Sequence, residues 1–243
     1  MKNVPLARDG VSVVVGGVFN PAVFSSDWLL REDLIDNAVF SSMTDSVTTP
    51  EFTSLRLGDI SLQVTREALQ VATAEASEFE PSRDLVVNIL RLLAHTPIAA
   101  LGINRHFHIK ADSVTLWNAI GDAIVPKAPW ETVLTLPGMR SAALWGARPD
   151  KHAGRVQVQI EPSVAIQYGI FVSQNDHYDL YDLDELISDR AQLPSSMEFV
   201  SQSPTADKGR VAIDLLTGDW NNSMKRADKV VAAVWRLRNG GTP

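Results

Sequence analysis

Two histidines stand one residue apart in LGINRHFHIK, Leu101 to Lys110. Read as a strand, this run puts Asn104, His106 and His108 on one face and Ile103, Arg105, Phe107 and Ile109 on the other. Alternate side chains on a strand are separated by roughly 6 to 7 Å, so two imidazoles can converge on one tetrahedral ion, but zinc hydrolases and lyases need a third protein ligand. The chain offers His95, His152, His177, Asp176 and Asp179. NDHYD, Asn175 to Asp179, is the most suggestive, read as a turn after a strand that carries two carboxylates and an imidazole. A site of His106, His108 and either His177 or Asp176 would hold zinc or another divalent metal and activate a bound water. The ordinary reading is preferred: Phe107 and Ile109 face the core, and His106 and His108 sit on the wetter face of a sheet. An acid/base or ligand-contact role for an imidazole titrating near neutrality is the remaining alternative.

Other chemistry-bearing residues have structural explanations. Asp176, Asp179, Asp182, Asp184, Glu185 and Asp189 lack the alternating oxygen ligands, central glycine and terminal glutamate of a calcium-binding loop. Asp182 with Glu185 instead has the spacing of a helix cap. Gly16-Gly17 follows a strand-like run without the lysine of a phosphate-binding loop or the third glycine of a dinucleotide fingerprint, so a bulge or bend is expected. No nucleophile elbow or paired-histidine zinc helix motif occurs.

At the carboxy-terminal end, Trp220, Met224, Ala227, Val231 and Val234 recur at helical spacing from Asp219 to about Arg238. Lys225, Arg226 and Lys229 lie on its polar side as the candidate contact for an acidic partner or nucleic acid, and replacing the three with glutamine is expected to leave the fold intact. With 22 Lys plus Arg against 29 Asp plus Glu, the net charge of −7 disfavours nucleic acid.

The elements that would position these residues are strands in hairpins and amphipathic helices. Gly58-Asp59 suits a type II′ turn between Leu55–Leu57 and Ile60–Val64, Leu69 to Thr73 extends the second strand past an irregularity at Arg66-Glu67, and RVQVQI alternates strictly. AIQYGIFVSQ continues the β pattern after Pro162. Ser25 or Ser26 caps a helix running through Val39, Ser82 caps one that stops before Pro97, and Asp112 or Ser113 caps one ended by Pro126. Asp182 starts a short fourth helix and Asp219 the fifth. ARPDKHAGR and SQSPTADKGR read as hairpin connections, and Ser41 to Ser54 as a loop. Hairpin pairs with helices inserted between them predict an α+β protein with an antiparallel or mixed sheet, helices mainly on one face, and about one third helix with comparable strand. A single domain, 1–243, is expected, with two α+β lobes dividing at 110/111 (1–110 and 111–243).

A chain of 243 residues that is 45% hydrophobic can bury its own core. The absence of cysteine excludes thiol catalysis and is compatible with a cytoplasmic location. No run approaches the roughly 18 to 20 apolar residues of a membrane span, so a soluble protein is expected. The first functional expectation is therefore a non-enzymatic binding or assembly protein acting through self-association or a protein partner, with no bound cofactor. The alternatives are a metal-assisted hydrolase or lyase at His106/His108 and a nucleic-acid-associated accessory protein using the basic helix.

Overall fold

A computed structural model describes residues 4–180 and 205–239. Among the described residues, nine strands form one wholly antiparallel sheet in the order β2-β3-β4-β5-β1-β6-β9-β8-β7. They are β1 (Leu6–Gly17), β2 (Val47–Thr48), β3 (Phe52–Leu57), β4 (Ile60–Thr65), β5 (Ala68–Thr73), β6 (Ile98–Lys110), β7 (Ala142–Ala147), β8 (Gly154–Pro162) and β9 (Gly169–Asp179). The α-helices are α1 (Ser26–Arg31), α2 (Asn37–Ser42), α3 (Phe79–Leu92), α4 (Val114–Ile124), α5 (Lys208–Gly218) and α6 (Trp220–Arg236). The described residues are 35% helix and 34% strand, as the alternating and helical patterns require of an α+β chain.

The order of elements repeats. After β1 come α1 and α2, then the meander β3-β4-β5, whose last strand pairs back onto β1, and then α3. After β6 come α4, the meander β7-β8-β9, whose last strand pairs back onto β6, and then α5 and α6. The two units meet where β1 pairs with β6. No repeat is visible in the residues themselves; the second unit begins at Ile98, and β6 joins both halves into one sheet.

One face of this sheet is the core. Val13, Ile103 and Val71 are direct partners across β1, β6 and β5, and all three are fully buried. α3 covers β1 and β5, while α5 and α6 cover β6 and α6 also reaches β9. Helices therefore sit mainly on one face, as expected. On the other face, Ser12, Asn104, Asn175 and Gln157 form a polar row across β1, β6, β9 and β8.

Local signals explain several boundaries. Ser25 and Ser113 accept hydrogen bonds from the Trp28 and Leu116 amides and start α1 and α4. Gly58 stands at φ 60° in the β3–β4 turn, a conformation open to glycine without a Cβ penalty. The β1–β6 register shifts between Gly16 and Gly17, the bulge expected there, and a Cβ on Gly17 would collide with the Pro97 carbonyl.

Four expectations are corrected. Ser82 does not cap α3, which starts at Phe79 and holds Ser82 buried within it. The first helix does not run to Val39: Asp33 adopts φ 55°, with Leu34 N–H bonded to Leu29 C=O and Asp33 N–H to Leu30 C=O, which closes α1 before Asp36 caps α2. Arg66-Glu67 is the turn of a β4–β5 hairpin and not an irregularity within one strand. The end of SQSPTADKGR leads into α5 and makes no hairpin. The expected helix at Asp182 lies outside the described residues.

Candidate functional site

β6 orients the two histidines as its alternation requires, on the polar face, with Phe107 and Ile109 fully buried behind them. His106 Nε2 is 3.3 Å from Ser12 Oγ, which also accepts from Asn104 Nδ2 at 3.2 Å. His108 Nδ1 is 2.8 Å from Ser163 Oγ. Phe171, directly opposite His108 on β9, stacks on His106 with ring centroids 6.1 Å apart and tilts against His108 at 5.0 Å. The result is a small aromatic platform with each imidazole held by a hydroxyl.

Burial is the main cause holding both imidazoles below the ordinary histidine range. The neighbouring charges of Arg105 and His108 add to this at His106, with Asp9 opposing, and Arg8 adds to it at His108. Because folding lowers these pKa values, the unfolded chain binds protons first on acidification. Stability from this source is complete above the unfolded histidine pKa of about 6.5 and is lost as pH falls from there toward the folded values. A double replacement, His106→Gln with His108→Gln, should flatten the stability profile between about pH 7 and pH 5. An unchanged slope in urea unfolding would rule out this pair as its source.

The four residues considered as metal ligands are not brought together. His177 pairs with Gly102 and His106 with Ser173, four positions along β9, so the two are roughly 13 Å apart along the sheet. His177 is instead 3.1 Å from Asp179 Oδ1. NDHYD is the end of β9 and not a turn, which sends Asp176 to the opposite, buried face. Among the described residues, no group of three or more His, Cys, Asp or Glu is arranged to hold a metal ion.

Asp176 belongs to an ionic cluster that the sequence does not display. Arg148, in the β7–β8 connection, donates from Nη1 to Asp176 Oδ1 and to the His177 carbonyl at 3.2 Å. Its Nε and Nη2 grip both oxygens of Asp150 at 3.0 and 2.7 Å. Arg226 on α6 donates to Asp176 Oδ2 from Nε at 3.0 Å and from Nη2 at 2.9 Å, and reaches Asp150 Oδ2 at 3.3 Å. Tyr178 lies beneath Arg148, whose guanidinium carbon is 3.5 Å from the ring centre. Burial is the largest cause pushing the Tyr178 hydroxyl up to about 12. Burial also works against ionisation of Asp150, but the Arg148 hydrogen bonds and charge outweigh it and hold that carboxyl below its ordinary range. Two cations and two anions thus fasten β9, the β7–β8 connection and α6 together.

Arg226 is therefore a structural cation, paired with Asp176 and Asp150. Lys225 and Lys229 are exposed on α6. No family model matches the sequence, and no match is found among curated proteins.

The surface has one further concentrated feature. Among the described residues thirteen large apolar side chains are exposed, and eight of these fall between Trp130 and Tyr168: Trp130, Val133, Leu134, Leu136, Leu144, Trp145, Val164 and Tyr168. They belong to β7, the connection before it, and the β8–β9 turn. β7, with the sequence AALWGA, is a sheet edge without a charged residue. α4, the 125–141 connection and the facing ends of β8 and β9 line a cleft of about 820 Å³ whose wall includes Trp117, Ile120, Leu134 and Ile170 together with Asp122, Lys127, Glu131 and Glu161. The signal available in the sequence was an apolar, uncharged stretch inside a proline- and glycine-punctuated region; its Ala and Gly content gives weak strand propensity.

Proposed function

We propose that this is a non-enzymatic binding or assembly protein that works through self-association or a protein partner, with the β7 end of the sheet as its contact surface. The observation that carries the reading is the gathering of exposed apolar side chains there, with Leu136 92% and Val133 71% exposed. Folded monomers rarely leave large contiguous apolar patches in water, and such patches mark contact sites. Among the described residues β7 has no outer neighbour in the sheet, and an uncharged edge of this kind is one that proteins usually blunt with charge, proline or a bulge. Among the described residues no helix is long and apolar enough to cross a membrane, so a spanning helix does not account for this surface.

Replacing Val133, Leu134 and Leu136 together with serine tests this. Surface substitutions usually change stability by about 0.5 kcal/mol or less, so the variant should melt close to the parent protein while binding much less apolar dye and losing concentration-dependent association. A large fall in melting temperature would mean that these side chains serve the core, and the contact-surface reading would fail.

A further inference from the structure

We infer that the cleft between α4 and the 125–141 connection binds a small organic cation, a compact apolar body carrying one amine, with Glu131 as its counter-charge. This goes beyond the contact-surface reading and does not depend on it, because no residue of β7 lines the cleft.

Size and wall chemistry set the class of guest. The cleft holds about 820 Å³. Small-molecule sites run from roughly 300 to 1,000 Å³ and are mostly apolar with a few polar groups. One wall is a stripe of α4, where Trp117, Gly121 and Ile124 stand at i, i+4 and i+7 and so share one side of the helix. The Trp117 ring is fixed there, since its Nε1 donates to the Gly169 carbonyl at 2.9 Å. Gly121 leaves the stripe hollow: a Cβ on it would meet no packed neighbour within 4 Å.

The connection supplies the other wall. Val133, Leu134 and Leu136 all line the cleft, yet they are 71, 54 and 92% exposed. Leu136 adopts φ 52° immediately before Pro137, a left-handed conformation that is costly for a bulky side chain. The chain by itself leaves these side chains in water. An apolar guest between them and the α4 stripe would remove both surfaces from water at once.

Charge selects the guest's polar group. The ionisable residues of the lining are Asp122, Lys127, Glu131 and Glu161. Lys127 Nζ already sits 2.9 Å from Asp122 Oδ1, and Glu161 accepts from Gln159 Nε2. Glu131 is exposed and makes no ion pair among the described residues. An anionic guest would therefore meet three carboxylates and one lysine that is already neutralised. A guest with an amine meets one unshared carboxylate at the mouth of an apolar cleft.

Pyrene-1-methylamine, pyrene-1-methanol and pyrene-1-carboxylate offer one apolar body with a positive, a neutral and a negative group. Fluorescence titration of the unaltered protein at low salt should place the amine first, roughly threefold or more tighter than the alcohol and roughly tenfold or more tighter than the acid. Added salt should narrow these gaps. Glu131→Gln, an exposed change, should abolish the amine's advantage and leave alcohol binding as it was. Gly121→Leu, which fills the hollow, should weaken the amine and the alcohol alike by about tenfold or more. Its melting temperature should not fall, because leucine is the better helix former. Equal binding of all three compounds, tightest binding of the acid, or unchanged binding by a folded Gly121→Leu protein each overturns the inference. If Gly121→Leu does not fold, Glu131→Gln decides alone. Val133, Leu134 and Leu136 also belong to the proposed contact surface, so the Gly121→Leu variant separates the two readings: lost amine binding with concentration-dependent association intact supports both. Association lost in that variant, with no pyrene compound bound by the unaltered protein, assigns the cleft to a second copy and overturns the inference while the contact-surface reading stands.

Discussion

Asp176→Asn is expected to lower the stability of the folded protein by about 3 to 5 kcal/mol, the cost typical of removing one partner from a buried ion pair. Asp176 is fully buried and the Arg148 side chain is 1% exposed, so the guanidinium left behind cannot turn to water without opening the β7–β8 connection. Asp150 still holds Arg148 from the other side, but an asparagine cannot supply charge to two guanidiniums at once. Against a net stability of about 5 to 15 kcal/mol for an ordinary domain, such a loss is a large fraction. Urea unfolding measures it directly, and a change below about 1 kcal/mol would show that the cluster is not energetically coupled. Replacing Arg148 with methionine together with Asp176→Leu should recover much of the loss, because removing both charges avoids stranding either. Arg226→Gln should be the milder single change, since Arg226 is 16% exposed and its loss leaves Asp176 with Arg148.

What the sequence could disclose follows from the range of each interaction. The two faces of β6 were legible because alternation is a local property, and Phe107 and His108 differ in burial as their neighbours imply. Helix starts at Ser25 and Ser113 were legible for the same reason. The break at Asp33 was not, because a left-handed aspartate leaves the apolar spacing of Leu29, Leu34 and Ile35 almost undisturbed. α5 escaped notice in a segment where Gly209 and nearby Pro204 suggested a turn, and it is held against α3 and β6 by residues far away in sequence. The destiny of Asp176 is the clearest case of all: its charge partners lie 28 and 50 positions distant, on the β7–β8 connection and α6. An acidic residue beside a histidine looks the same to sequence inspection whether it meets a metal or a guanidinium. β7 was overlooked because alanine and glycine have weak strand propensity, so pairing with β8 makes this strand.

Removing Asp219 onward is expected to abolish cooperative folding and to yield an aggregated or molten product. The deleted segment contains α6, whose Trp220, Ala227, Val231, Val234 and Trp235 are buried. Ala227, Val231, Val234 and Trp235 join Phe107, Ile109, Ile160, Ile170 and Val172 in a single apolar cluster over β6, β8 and β9, while Trp220 closes the neighbouring cluster beneath α3 and α5. Each large buried side chain contributes about 1.5 to 3 kcal/mol through removal from water, so the helix and the strand residues it covers together exceed the net stability of an ordinary domain. The truncation also deletes Arg226 from Asp176 and Asp219 from His152, whose Nε2 is 2.6 Å from the Asp219 carboxylate. Both packing and charge therefore fail together. Near-ultraviolet circular dichroism and thermal melting of the truncated chain would distinguish the outcomes, since a molten product retains secondary structure without a cooperative transition. A soluble truncation product with a sharp transition would mean that α6 is an appendage whose apolar stripe serves a partner, and the energetic account of the second half of the sheet would have to be abandoned.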